Sequence, residues 1–365
     1  MPKVLFAAQP TITGVAQCVF DWTTGLRERG WEVVLACPSD GWLGQRCSDA
    51  GIPLERWDSV RKPYQGVKRE YGQLRAVVAH TAPDVAFLHG SKAGMIGRML
   101  LRSDLPVAFS PHSWSYEASG GIVGWAALQW ERRAARWTDA FVCVSAAEAD
   151  DGRAHGIRGR YVIARNGVDT DAIRPASQEM RRAMRAERGI DDDDTCVVCV
   201  GRVHRQKGQD ILLQAWPHVN VPGGRLVIVG DGPDLPSARE SASPDVRFTG
   251  GVDRDEALAW MQAADLLVMP SRWEGMALVP LESLAVGTPV LASDVTGVRE
   301  AIDPSCGAVF APEDADALAL AMREWIPRVN SEGTALRNAA RDRVVGEFEL
   351  STTLDVIDST LRSVL

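Results

Sequence analysis

Short apolar runs alternate with longer amphipathic stretches along nearly the whole chain, and the cycle runs twice. Residues 4–8, 32–37, 84–89, 107–110, 140–144 and 159–164 read as strands, with helices expected over 17–29, 67–80, 92–102, 124–137 and 146–155 between them. After a turn-rich break at Arg165-Asn-Gly-Val-Asp-Thr-Asp-Ala-Ile-Arg-Pro175 the pattern restarts, with strands expected at 196–201, 225–229, 246–249, 265–269, 289–292 and 308–310. Strands alternating with helices predict parallel sheets covered on both faces. At 365 residues the chain is long for one core, so two domains are expected. We place them at 1–170 and 171–346, with a last helix over 347–365 that either crosses back to the first domain or packs locally.

Hydrophobic residues make up 45% and charged residues 24%, the balance of an ordinary globular enzyme. The N-terminus opens on a strand pattern without the long apolar core of a signal peptide, so a cytoplasmic protein is expected. The net charge of -8 is uneven: residues 1–170 carry +3 and the remainder -11. A slightly basic front half suits an acidic acceptor or an anionic membrane surface. No basic stripe or reader motif points to nucleic acid. Seven scattered cysteines argue for reduced thiols. Cys196 and Cys199 imitate a metal pair, but on a strand they face opposite ways.

The most informative stretch is Asp265-Leu-Leu-Val-Met-Pro-Ser-Arg-Trp-Glu274-Gly-Met-Ala-Leu-Val-Pro-Leu-Glu282. An apolar strand ends at Pro270, and helical periodicity resumes at Ala277, where Pro280 is tolerable only in a first turn. Glu274 therefore lies on the loop at a strand's carboxyl end, where α/β sheets bind ligands. Glu282 lies near the start of the following helix. Helix N-terminal amides suit phosphate, and carboxylates suit vicinal hydroxyls. Taken alone, two acids with seven residues between them also fit a loop charge and a solvated helix face. A second strand-to-helix loop, Gly201-Arg202-Val-His-Arg-Gln-Lys207-Gly208, offers an arginine and a lysine able to clamp a diphosphate. Arg205 is a weaker candidate that should face solvent.

Glu274 and Glu282, with Arg202 and Lys207 upstream, resemble the Glu-x7-Glu pattern of retaining glycosyltransferase family 4, which includes bacterial polysaccharide-assembly enzymes. The resemblance implies the GT-B fold, an α/β arrangement of two Rossmann-like domains facing across a cleft. It implies that Glu282 binds the nucleotide ribose, Glu274 contacts the donor sugar, and Arg202 with Lys207 holds the diphosphate. Backbone amides of Gly275 and Met276 would point at phosphate or sugar, although the family more often has an aromatic residue at Met276's place. In the first domain, Pro10-Thr-Ile-Thr-Gly14 matches a family loop that carries two adjacent glycines; only Gly14 is present, and Thr13 offers a hydroxyl instead. His112, in His112-Ser-Trp-Ser-Tyr, stands where the family places a histidine near the reacting carbon, and His89 would shape the acceptor cleft.

The resemblance further implies a metal-independent, retaining transfer from a UDP- or GDP-sugar to a saccharide, lipid-linked or small-molecule hydroxyl, forming an α-linkage, with no cofactor. Polysaccharide or glycolipid assembly is the first expectation. Glycosylation of a natural product, or a nucleotide-sugar epimerase or hydrolase on the same fold, are the alternatives. Tryptophans interleaved with arginines over residues 125–137 suit peripheral contact with the inner membrane face, and equally suit core packing under a basic surface. Asp169-Thr-Asp171 imitates a metal-binding motif, but its place in the interdomain turn argues against that role.

Overall fold

The computed structural model describes residues 1–60, 65–117 and 120–365 and, of Thr13, the main chain alone. The chain divides into two compact units, residues 1–166 with 351–365, and residues 167–350. The first unit holds seven strands: β1 (Lys3–Ala8), β2 (Glu32–Cys37), β3 (Leu54–Arg56), β4 (Val85–His89), β5 (Val107–Ser110), β6 (Ala140–Cys143) and β7 (Tyr161–Ile163). All pairings are parallel, in the order β3-β2-β1-β4-β5-β6-β7. The second unit holds β8 (Thr195–Val200), β9 (Gly224–Val229), β10 (Val246–Gly250), β11 (Leu266–Met269), β12 (Val290–Ser293) and β13 (Gly307–Phe310). Its parallel order is β10-β9-β8-β11-β12-β13.

Both sheets are doubly wound, which explains the strand composition. Every residue of β4, β5, β6, β11 and β12 is buried, because helices cover both faces and leave no solvated side for polar alternation. Cys196 and Cys199 are buried in β8, and none of the seven buried cysteines is in a disulfide. Two elements in the first unit escape the sequence pattern: edge strand β3, three residues bearing Glu55 and Arg56, and the helix Trp42–Asp49. Residues 347–365 are not one helix. Glu347 ends the helix Gly333–Glu347, and Leu350–Val364 follows after a break at Phe348 and Glu349. The latter helix is fastened within the first unit: Arg29 grips Asp355 at 3.0 and 2.7 Å, and the Trp31 indole donates to Asp358 at 2.6 Å.

In each sheet the winding direction reverses between two neighbouring strands, β1 and β4 in the first and β8 and β11 in the second. At such a switch point the connections run on to opposite faces of the sheet, and the crevice at the strands' carboxyl ends is where such sheets bind ligands. In the second unit those loops are residues 201–208 and 270–277. They meet at main-chain distance. Gly208, at φ 66°, caps the first loop so closely that an added Cβ would sit 2.0 Å from the Pro270 carbonyl oxygen. The loop after β9 crowds in likewise, where a Cβ on Gly230 would lie 2.1 Å from the Gly201 oxygen.

Gly208→Ala should therefore destabilise the second unit by roughly 2–4 kcal/mol, combining left-handed strain with a backbone clash. Denaturant unfolding would measure it. Gly72→Ala, on a helix where an added Cβ meets nothing within 4 Å, serves as the control and should not lower stability.

Candidate functional site

The second unit gathers the charged residues singled out from the sequence. Lys207 ends a single 3-10 turn (Arg205–Lys207) whose entry is capped by His204, the Gln206 amide donating to His204 Nδ1 at 3.1 Å. Lys207 Nζ donates to Glu274 Oε1 at 2.5 Å, joining the β8 and β11 loops through a buried carboxylate. Gln206 bridges the same loops, its side-chain amide reaching the Trp273 carbonyl at 3.1 Å. Arg202 lies on this loop and is half-buried; its carbonyl accepts from Gln209 at 3.2 Å. Arg205 is exposed, with its guanidinium 5.9 Å from the centre of the Trp273 ring.

Glu282 is the fifth residue of the helix Leu278–Ala285 and is buried. It pairs with Arg254, whose Nε and Nη2 lie 2.9 and 2.8 Å from Oε1. Arg254 opens the helix that follows β10, capped by Asp253. Nothing in the sequence singles out Arg254, since one arginine at a helix start carries no signal until the fold sets it against Glu282. Gly275 and Met276 are buried on the β11 loop. Both carboxylates of the group are thus held by cations from other segments of the unit.

Arg272 is a further residue the sequence did not single out. Its amide donates to the Gln206 carbonyl at 2.8 Å and its guanidinium to the Arg205 carbonyl at 2.7 Å. The guanidinium also makes a bidentate pair with Asp210 at 2.9 and 2.7 Å and reaches Glu313 at 2.8 Å. Hydrogen bonding to Asp210 raises the arginine's pKa, and the arginine in turn lowers that of Asp210. Arg272 pins the loop that carries Lys207 to the loop that carries Glu274.

In the first unit, His112 follows β5 with a left-handed backbone, φ 52°, and Ser113 continues at 89°. His112 Nε2 lies 3.2 Å from Nδ1 of His89, and the ring stacks on Trp22 with centroids 5.4 Å apart. His89 is completely buried, stacked on Phe6 at 5.0 Å. It supports His112 from beneath and does not line an open surface. Burial holds the His112 imidazole down at about 3 and the His89 imidazole well below its usual value, with His112 adding to the latter. Two neutral rings can share one N–H···N bond, whereas two imidazoliums would each present only donors. Gly14 is exposed in the first turn of the helix Thr13–Glu28, where an added Cβ would meet nothing within 4 Å. The side chain of Thr13 lies outside the described residues.

The other candidates have structural uses. Asp169 Oδ1 accepts from the Asp171 and Ala172 amides at 2.9 and 2.8 Å, closing a turn, and Asp171 pairs with Arg174. Among the described residues no three His, Cys, Asp or Glu side chains converge to hold a metal ion. No helix among them is long and apolar enough to cross a membrane.

The family described as "Glycosyl transferase 4-like domain" matches residues 13–167, and "Glycosyl transferases group 1" matches residues 194–327. The chain is 34% identical over 165 residues to the GDP-mannose-dependent monoacylated alpha-(1-6)-phosphatidylinositol monomannoside mannosyltransferase of Corynebacterium glutamicum, covering 42% of this chain and 43% of that protein. It spans about half the length of the curated relatives it matches first. A longer match, 30% identical over 295 residues, joins it to the alpha-maltose-1-phosphate synthase of Mycolicibacterium smegmatis, covering 73% of this chain and 76% of that one. Among solved structures, Anabaena Alr3699/HepE in complex with UDP and glucose superposes with a TM-score of 0.85 at 21% identity, covering 100% of each chain.

Proposed function

This chain belongs to the family 4 glycosyltransferases, with their GT-B fold, and we propose that it moves a sugar from a nucleotide-diphosphate donor to a hydroxyl acceptor. The observation that carries this reading is the Lys207–Glu274 contact at a switch point, with the Arg254–Glu282 pair in the same unit. Each pair offers one cation and one carboxylate, the combination that a phosphorylated sugar requires. A donor diphosphate takes Arg202 and Lys207, and Glu274 is then released to orient sugar hydroxyls. Glu282, steadied by Arg254, accepts the ribose hydroxyls, while the Gly275 and Met276 amides meet phosphate or sugar. Gly14 is assigned to phosphate approach and His112 to the reacting end of the donor sugar on the family resemblance.

We read the transfer as retaining. The acceptor oxygen bonds to the anomeric carbon on the face the diphosphate leaves. The carbon–oxygen bond to phosphate breaks with its electron pair on the phosphate, and the acceptor's proton passes to a departing phosphate oxygen. Negative charge grows on the diphosphate during this step, so Arg202 and Lys207 bind the transition state more strongly than the ground state. These two cations support a reaction that runs without a metal ion.

Relatives named for GDP-mannose and a neighbour solved with UDP leave two donor classes to compare. Calorimetric titration with UDP, GDP, dTDP and ADP in excess EDTA should show clear binding of one nucleotide. Binding by none would remove the donor site as assigned. Glu282→Gln should weaken that binding about tenfold or more, the loss of a charge-assisted hydrogen bond. Glu274→Gln should lower kcat far more than nucleotide affinity, and equal losses in both would overturn the division of labour. Release of free sugar at the same rate with and without acceptor would instead favour a hydrolase.

We assign the acceptor to the lipid-linked class, with the first unit resting on the membrane surface. On the helix Gly121–Ala134, Ile122, Val123 and Trp125 are 85%, 51% and 64% exposed. Arg132 and Arg133 near its end, and Arg136 just beyond, are exposed as well. Ile122, Trp125, Gln129 and Arg132 or Arg133 recur at helical spacing, placing apolar and cationic groups on one stripe, as an anionic lipid interface demands. Sedimentation with phosphatidylglycerol vesicles should capture the protein. The Ile122→Ser, Trp125→Ser variant should lose most of that binding while keeping its nucleotide affinity, and unchanged capture would refute the assignment.

A further inference from the structure

The left-handed turn at His112 and Ser113 is an unfavourable backbone for both residues. Such a conformation persists only when its surroundings over-determine it. Here two carboxylates do so. Glu148, completely buried, accepts from the Ser113 amide at 2.6 Å through Oε1 and from the Val144 amide at 2.8 Å through Oε2. Glu117 accepts from the Ser113 hydroxyl at 2.6 Å and the Trp114 amide at 3.1 Å. The Trp114 indole closes the ring by donating to the Glu148 carbonyl at 2.8 Å.

We propose that Glu148 is the positioning residue of His112, its carboxylate clamping the strained His112–Ser113 turn to the end of β6 and so fixing where the imidazole points. The clamp joins the segment after β5 to the segment after β6, across 35 residues of chain. It rests on the reading that His112 serves the transfer step. Glu148 acts on His112 through the Ser113 amide, with no role assigned to it on the substrate.

The sequence around it, Ser145-Ala-Ala-Glu148, has the spacing of a helix capping box. Ser145 does cap, accepting from the Glu148 amide at 3.0 Å. The glutamate side chain, however, bypasses the Ser145 amide that a capping box would use and reaches out of its helix to Ser113. A local cap needs no partner so far away in sequence.

Ionised, the carboxylate presents an acceptor oxygen to each amide; protonated, one oxygen carries hydrogen and the clamp loosens. Burial pushes the Glu148 carboxyl up to about 7, with the two amides acting against it and Glu117 adding to it. The groups facing it are Ser113, Trp114 and Glu117 on the turn, Cys143 and the Val144 amide at the end of β6, and Ser145 on its own helix. Arg153 lies beyond, beside Cys143. Burial also raises Glu117, while His112 stays neutral throughout this range.

The test uses the full chain with Glu148→Gln, Ser113→Gly and the double variant. Glutamine retains the shape but offers one acceptor oxygen, whereas glycine adopts positive φ without strain. In Glu148→Gln the nitrogen-15 imidazole signals of His112 and His89 should shift, and turnover of UDP-glucose or GDP-mannose should fall about tenfold. UDP and GDP affinity should hold. Wild-type kcat should rise through about pH 7, and that rise should be absent from Glu148→Gln. Adding Ser113→Gly should return the histidine signals and most of the turnover, which relief of a merely structural defect would not do. Unshifted signals in a folded Glu148→Gln variant, or a shift that Ser113→Gly leaves in place, would overturn the proposal. If the signals behave as expected but His112→Ala turns over normally, the clamp stands and the role given to His112 falls.

Discussion

Close main-chain contact between loops at the switch point of the second sheet is the constraint on which its charged site depends. The oxygen of Pro270 occupies the place a side chain would take at Gly208, so the loop bearing Lys207 and the loop bearing Glu274 can approach this closely only with glycine there. Arg272 then fixes their relative height by bonding to two carbonyls of one loop from the start of the other. A lysine on a flexible four-carbon stem gains directional precision when its loop is held this way. The two cation–carboxylate pairs are consequences of that scaffold. On the donor-site reading proposed above, each pair exchanges one charged contact for another when the ligand binds. An exchange of like contacts costs less than desolvating an unpaired charge.

The first unit builds its histidine site from different material. Phe6, Trp22 and Phe87 crowd around His89, and the apolar surroundings force both imidazoles neutral. Neutral rings joined by one hydrogen bond hold orientation without a counter-ion. The second unit positions charge with charge; the first positions a neutral ring with packing and a strained turn.

How much of this was legible in the sequence follows from the range of each interaction. Strands buried on both faces advertise themselves as unbroken apolar runs, so β4, β5, β11 and β12 could be read directly. Strand β3 could not, because an edge strand of three residues with two charges has the composition of a loop. Glu274, Arg202 and Lys207 stood out since a strand-end loop is recognisable locally. Arg254 and Arg272 did not, because their meaning lies in partners 28 and 62 residues away. The sequence suggests a cleft-lining role for His89, since its place at a strand end is visible there while the aromatic residues enclosing it come from β1, β4 and the first helix. Glu148 was hidden by a plausible local role: the spacing from Ser145 explains a glutamate there without any distant partner.

Glu148 also shows how position and stability pull apart. A carboxyl whose folded pKa lies above its unfolded value of about 4.3 adds stability fully below that value. The contribution is lost as pH rises through about 7, where the buried group ionises. Yet ionisation is what gives both amides a full acceptor. At neutral pH the chain therefore gives up stability in the first unit to hold the Ser113 turn with a charge. An amide in that place would avoid the cost of ionisation, and a glycine at Ser113 would remove much of the strain. The serine, the left-handed backbone and the buried acid together make sense only if the placement of His112 matters more than the stability lost.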